Sequence, residues 1–132
     1  MELGDLKIGD WVYNQDNIPV KIDKINGRLY NIEGITINGI EECIHISDIS
    51  PIQIIPEILK KNGFILESCG YCWYQEQGID FQNYILVTFR KNGEPRTVEM
   101  NFINKVKAEY KDIFFIHQLQ HAIRRVGKEI IL

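Results

Sequence analysis

The chain has 132 residues, of which 45% are hydrophobic and 25% charged, with a net charge of −3. That size and balance predict a soluble globular chain of one ordinary domain or two very small ones, and exclude a membrane helix, because no apolar run approaches the roughly 18 residues one needs. The acidic balance gives no electrostatic case for nucleic acid, and an odd count of three cysteines argues against a closed disulfide framework.

Residue usage is skewed, with 24 Ile against 2 Ala. β-branched Ile favours strands, and scarce Ala disfavours long helices. The opening "MELGDLKIGD" is acidic and lacks the basic-then-apolar order of a secretory signal, so a cytoplasmic location is expected. Residues 96–132 hold 7 Lys+Arg against 4 Asp+Glu, a mildly basic balance too dispersed to form a phosphate-binding stripe.

Residues 6–49 read as short strands. "LKIGDWVYN" carries Ile8, Trp11 and Tyr13, interrupted by a turn at Gly9-Asp10. "IPVKIDKI" and "CIHISDIS" come next, the latter with Ile44, Ile46 and Ile49 near one face. So many strands in so short a span predict a small β-barrel or a strongly curled sheet over residues 1–50. The stretch "IGDWV" resembles the first strand of SH3-like barrels, which implies an SH3-like form for it. Trp11, Tyr13 and Tyr30 could line an aromatic groove on it, or simply fill a small core.

Four Asn-Gly dipeptides punctuate the chain, at Asn26, Asn38, Asn62 and Asn92. Both residues tolerate the positive φ that type I′ turns require. Three lie between strand-like runs and predict hairpins. The fourth comes after "PEILKK", where Pro56 suits a first helical turn and Gly63 the position past the end. A short helix over Pro56–Lys61 is expected, within a connecting segment of residues 51–63.

Residues 64–132 read as a β-meander with one packed helix. "GFILESCGYCWYQ" and "DFQNYILVTFRK" are expected to pair with "EPRTVEMNF". In "FFIHQLQHAIRRVG", Ile116, Leu119, Ile123 and Val126 form one stripe at helical spacing, with Gly127 as the stop. The last residues, "KEIIL", are expected to dock as an edge strand. The fold class is thus α+β and mainly antiparallel.

The chemistry-bearing candidates are few. Cys69 and Cys72 stand three apart in "SCGYCW", but the residues after them read as strand, so the helix N-terminus that activates a redox thiol is missing. His117 and His121 stand four apart on one helix, so Cys69, Cys72, His117 and His121 together offer a zinc set. The competing reading is that both cysteines are buried as small hydrophobes. His117, His121 and Arg124 could equally form a polar helix face that meets a partner or only water. His45 is expected to face water from its strand, the carboxylates Asp10 and Glu41-Glu42 show no paired arrangement across a cleft, and no phosphate loop or nucleophile elbow is present.

Three stretches in order, "LKIGDWVYN", "ISPIQIIPEILKKNGF" and "FIHQLQHAIRRVGKEIIL", resemble a family of small uncharacterised proteins of Bacteroidales-type bacteria and their prophages and mobile elements. The resemblance implies an accessory protein with no catalytic motif, His117 matching the family's "HQLQ" position. The function expected is non-enzymatic protein interaction, by a protein partner or self-association rather than nucleic acid, with no cofactor and no membrane. The alternative is a zinc-binding protein.

Overall fold

The computed structural model describes residues 6–25, 34–37, 40–74, 83–89, 95–102 and 106–132. The chain divides into two units, Met1–Ile52 and Gln53–Leu132.

The first unit holds β1 (Trp11–Tyr13), β2 (Pro19–Ile25), β3 (Gly34–Ile37) and β4 (Ile40–His45), then a 3-10 turn over Ile46–Asp48. They form an antiparallel sheet in chain order. β1 and β4 are not neighbours, so a closed SH3-like barrel is not formed among the described strands. The edge of β1 is met instead by Ser50, whose backbone exchanges hydrogen bonds of 2.8 and 3.0 Å with Tyr13. Leu6, Val12, Val20, Ile22 and Ile49 make the apolar cluster. Such a cluster needs the turn before β1 to be tight. Asp10 closes it, its carboxylate accepting from the Lys7 N–H at 2.8 Å while its own N–H donates to the Lys7 carbonyl at 3.1 Å.

The link from β1 to β2 is held by Asn14, whose side-chain oxygen accepts from the N–H groups of Asp16 and Ile18. This is the turn-mimicking bond that makes Asn a good loop residue. Asn38-Gly39 lies between β3 and β4, which pair antiparallel as a hairpin requires. Three of the four Asn-Gly dipeptides, at Asn26, Asn38 and Asn92, lie outside the described residues.

The second unit opens with α1 (Pro56–Lys61), with Pro56 in the first turn. Its end is a Schellman motif. The Phe64 N–H reaches the Leu59 carbonyl at 3.0 Å, the Gly63 N–H reaches Lys60 at 3.1 Å, and Gly63 takes φ 85°. Five strands come next as an antiparallel meander: β5 (Ile65–Glu67), β6 (Gly70–Tyr74), β7 (Tyr84–Phe89), β8 (Pro95–Phe102) and β9 (Val106–Lys111). "GFILESCGYCWYQ" is therefore two strands, folded back at Ser68-Cys69.

Strand alternation gives this sheet two unlike faces. Ile85, Val87, Val98 and Met100 lie fully buried on one side. The helix α2 (Ile116–Ile123) covers them, packing on β8 with Ile116, Leu119 and Ile123 buried. A hydrogen bond of 2.7 Å from Arg125 to the Tyr110 hydroxyl fixes the far end of the helix to β9. A 3-10 turn over Arg124–Val126 and Gly127 at φ 77° end the helix. Val126 is only half-buried, because the tighter turn rotates it off the predicted stripe.

The last five residues do not form the edge strand expected of them. The side chain of Asn62 takes up the backbone of Ile131 instead.

Gly70 stands where β6 runs close against the backbone of β7. At φ 146°, a Cβ there would run into the Val87 carbonyl oxygen and sit 3.1 Å from Thr88 Cα. Backbone on the far side cannot swing away as a side chain could. Gly70→Ala is therefore expected to destabilise the protein by about 2–3 kcal/mol. Urea titration measures this, and an unchanged midpoint would show that β6 does not approach β7 so closely.

Candidate functional site

The face of the five-stranded sheet opposite α2 carries the residues that could do chemistry. By register, Ile65 and Cys72, Glu67 and Gly70, Cys72 and Leu86, Tyr74 and Tyr84, and Leu86 and Glu99 are cross-strand neighbours there. Cys72 is the one buried side chain among them, while Tyr74, Tyr84, Leu86 and Glu99 are half-buried and Glu67 is exposed.

Two tyrosine–carboxylate pairs frame the thiol. The Tyr74 hydroxyl donates to Glu67 at 3.1 Å, and the Tyr84 hydroxyl donates to Glu99 at 3.2 Å. Burial pushes the Cys72 thiol above its ordinary value of 9.0, with the Glu67 and Glu99 charges adding to it and a hydrogen bond with Tyr74 opposing it. That same bond with Cys72 is the largest cause of a strongly raised Tyr74. Tyr84 is raised by burial and then by Glu99. The thiol is thus kept protonated, which is the wrong state for a nucleophile.

Cys69 does not share this setting. It sits exposed in the two-residue turn of the β5–β6 hairpin, while Cys72 is buried one strand step beyond Tyr71, and both are free thiols. The extended run from Gly70 to Cys72 works against the Cα separation of about 4.4–6.8 Å that a disulfide needs.

The histidines stand elsewhere. His117 and His121 lie on α2, which packs against β8 on the other face. His117 stacks on Phe115 with ring centres 5.9 Å apart and meets His121 edge-on at 5.8 Å. The helix face carrying His117, His121 and Arg124 is not simply solvated, because His117 and Gln120 are both buried. Among the described residues no group of three or more His, Cys, Asp or Glu side chains is arranged to hold a metal ion.

In the first unit, Trp11 and Tyr13 share the half-buried face of β1, opposite the fully buried Val12. Tyr30 lies outside the described residues, as do the side chains of Glu41, Glu42 and His45. Asp10 is fully buried and closes a turn, so its role is structural.

The feature that the sequence reading missed is the edge beside the thiol. β5 is the outer strand of the sheet, and all three of its residues are exposed, including the large apolar Ile65 and Leu66. A hairpin with a two-residue turn points the backbone groups of its closing pair, here Glu67 and Gly70, at each other. The N–H and carbonyl of Leu66 consequently face outward. The signal in the sequence was "ESCG", a short polar turn ending in Gly.

No helix among the described residues is long and apolar enough to cross a membrane. No protein-family model, curated protein or solved structure matches the chain.

The thiols and tyrosines can each be tested. With a thiol reagent at pH 8 and peptide mapping, Cys69 is expected to label at least about tenfold faster than Cys72, whose burial and retained proton both slow it. Equal rates in the folded protein would contradict the buried thiol. Stability should also fall with alkali. The folded state holds protons on Cys72, Tyr74 and Tyr84 that the unfolded chain releases from its ordinary values of 9.0 and 10.0. Their stabilisation is complete below those values and declines as pH rises above them. A melting temperature that is flat or rises from pH 8.5 upward would refute this sign.

Proposed function

We propose that the chain is a non-enzymatic interaction module, and that its second unit takes up an extended segment of a protein partner along β5. The observation that carries this reading is the edge itself: an outer strand with Ile65 and Leu66 exposed. Edge strands present unpaired backbone groups, and added strands gain affinity from main-chain bonds and specificity from alternate side chains. The reading fits the accessory-protein role that the family resemblance implies.

Charge selects the partner's chemistry. Glu67 ends the strand, and Glu99 lies further along the same open face. A segment antiparallel to β5 would set a basic residue opposite Glu67 and apolar residues opposite Leu66 and Ile65. The aromatic pair Trp11 and Tyr13 of the first unit remains a separate candidate surface.

The test uses a Thr-Lys-Val-Ile-Thr peptide and nitrogen-15 NMR of the intact chain. Shifts confined to residues 64–72, and slowed exchange of the Leu66 amide, are expected. Leu66→Glu should weaken binding by tenfold or more, about 1.4 kcal/mol. Peptide binding that ignores Leu66→Glu would overturn the edge as the site. A Leu66-dependent dimer in native mass spectrometry without peptide would replace the partner by a second copy.

A further inference from the structure

Asn62 is buried at the end of α1 and spends its whole side chain on holding two segments together. Its Nδ2 donates to the Ile58 carbonyl at 2.8 Å and to the Ile131 carbonyl at 2.9 Å. Its Oδ1 accepts from the Ile131 N–H at 2.7 Å. Lys128 adds a second tie, donating from Nζ to the Asn62 carbonyl at 3.0 Å while its ammonium lies 4.8 Å from the centre of the Trp73 ring. The segment 128–132 is thus a strap tied to Asn62 through Lys128 and Ile131, with its own Ile130 buried.

That residue precedes glycine. An Asn-Gly pair is the sequence most open to intramolecular attack, since glycine has no side chain to hinder its own nitrogen. We infer that Asn62-Gly63 is a modification site whose conversion releases the strap in one direction only. The Gly63 nitrogen attacks Cγ of Asn62, a cyclic imide forms, and the amide nitrogen leaves as ammonia with the proton lost from Gly63. Water then opens the ring to aspartate or isoaspartate, so water is the only co-reactant.

With the strap fastened, this chemistry is blocked at both ends. The Gly63 N–H is engaged with the Lys60 carbonyl at 3.1 Å, and the Asn62 amide is pinned by its three bonds. Conversion therefore requires the strap to open first. Once the amide has become a carboxylate, it has no N–H to give to Ile58 and Ile131. The oxygen that replaces Nδ2 faces those two carbonyl oxygens, and only the Ile131 N–H still serves the other oxygen, so the buried carboxylate is short of donors and reclosure is disfavoured.

The experiment tracks conversion at Asn62 by peptide mapping during incubation at pH 8, in buffer and in urea. The folded protein should convert at least about tenfold more slowly, because local opening must precede attack. Ile131→Pro removes the N–H given to Oδ1 at an exposed position without touching Asn62 or Gly63, and should speed conversion in the folded state. Asn62→Asp, the converted form, should lose hydrogen-exchange protection over residues 128–132 while β7 and β8 keep theirs. Equal conversion rates in buffer and urea, no acceleration by Ile131→Pro, or retained protection in Asn62→Asp would each overturn the inference.

Discussion

Along β7 and β8, Ile85, Val87, Val98 and Met100 point to one side of the sheet and none of them touches water. Each such burial is worth about 1.5–3 kcal/mol relative to exposure, so a sheet this apolar on one face cannot be stable uncovered. Much of the second unit results from meeting that demand. α2 supplies the cover, with Ile116, Leu119 and Ile123 at helical spacing. Placing the helix then fixes the segments at its two ends. At the start, Gln118 reaches back to the Phe114 and Phe115 N–H groups, and Phe115 pairs with Gln53 ahead of α1. At the finish, Gly127 turns the chain toward the end of α1. Asn62 meets it there, so the residue that caps α1 also anchors the segment after α2.

The same alternation leaves the opposite face, among the described residues, to side chains that are half-buried or exposed, with one exception. Cys72 is buried on the side where its neighbours are half-exposed or exposed. A small thiol between Leu86 and two tyrosine rings can be covered by side chains of its own sheet, without a second layer. Those tyrosines are in turn oriented by Glu67 and Glu99. The carboxylates both hold the cover in place and oppose ionisation of the thiol under it. "SCGYCW" thereby resolves into two thiols of different kinds: Cys69 belongs to a turn, and Cys72 belongs to a packed surface.

Some of this was legible in the residues. Pro56 and Gly63 bracket α1, and the Ile116/Leu119/Ile123 stripe with Gly127 marks α2, because both signals are local and rest on backbone geometry. β9 was legible and went unread. "VKAEYK" alternates Val106, Ala108 and Tyr110 with Lys107, Glu109 and Lys111 at strand spacing, a signal the periodic stripe of the following helix overshadowed. The fold-back at Ser68-Cys69 was hidden because an apolar run on each side of a short turn looks like one long strand. The burial of His117 and Gln120 was also invisible, since helical periodicity assigns polar residues to water by default. The end of the chain was misread for a related reason. "KEIIL" is apolar enough for a strand, but its backbone found a side-chain amide 69 residues away in sequence before it found a sheet.

The two edges of the five-stranded sheet are protected by different means, and the difference bears on what the sheet can do. β9 is long and presents Lys107, Glu109 and Lys111 to water, the charged pattern that discourages further pairing. β5 has a thinner guard, Glu67 alone, and its exposed Ile65 and Leu66 make it the more adhesive edge. Its restraint is length, since three residues offer one outward-facing backbone pair, at Leu66, and little area. An edge that short cannot template an extended sheet. It can hold a strand only where side chains add to the main-chain bonds, and that makes the pairing selective: Ile65 and Glu67 read one face of an incoming segment while Leu66 reads the other.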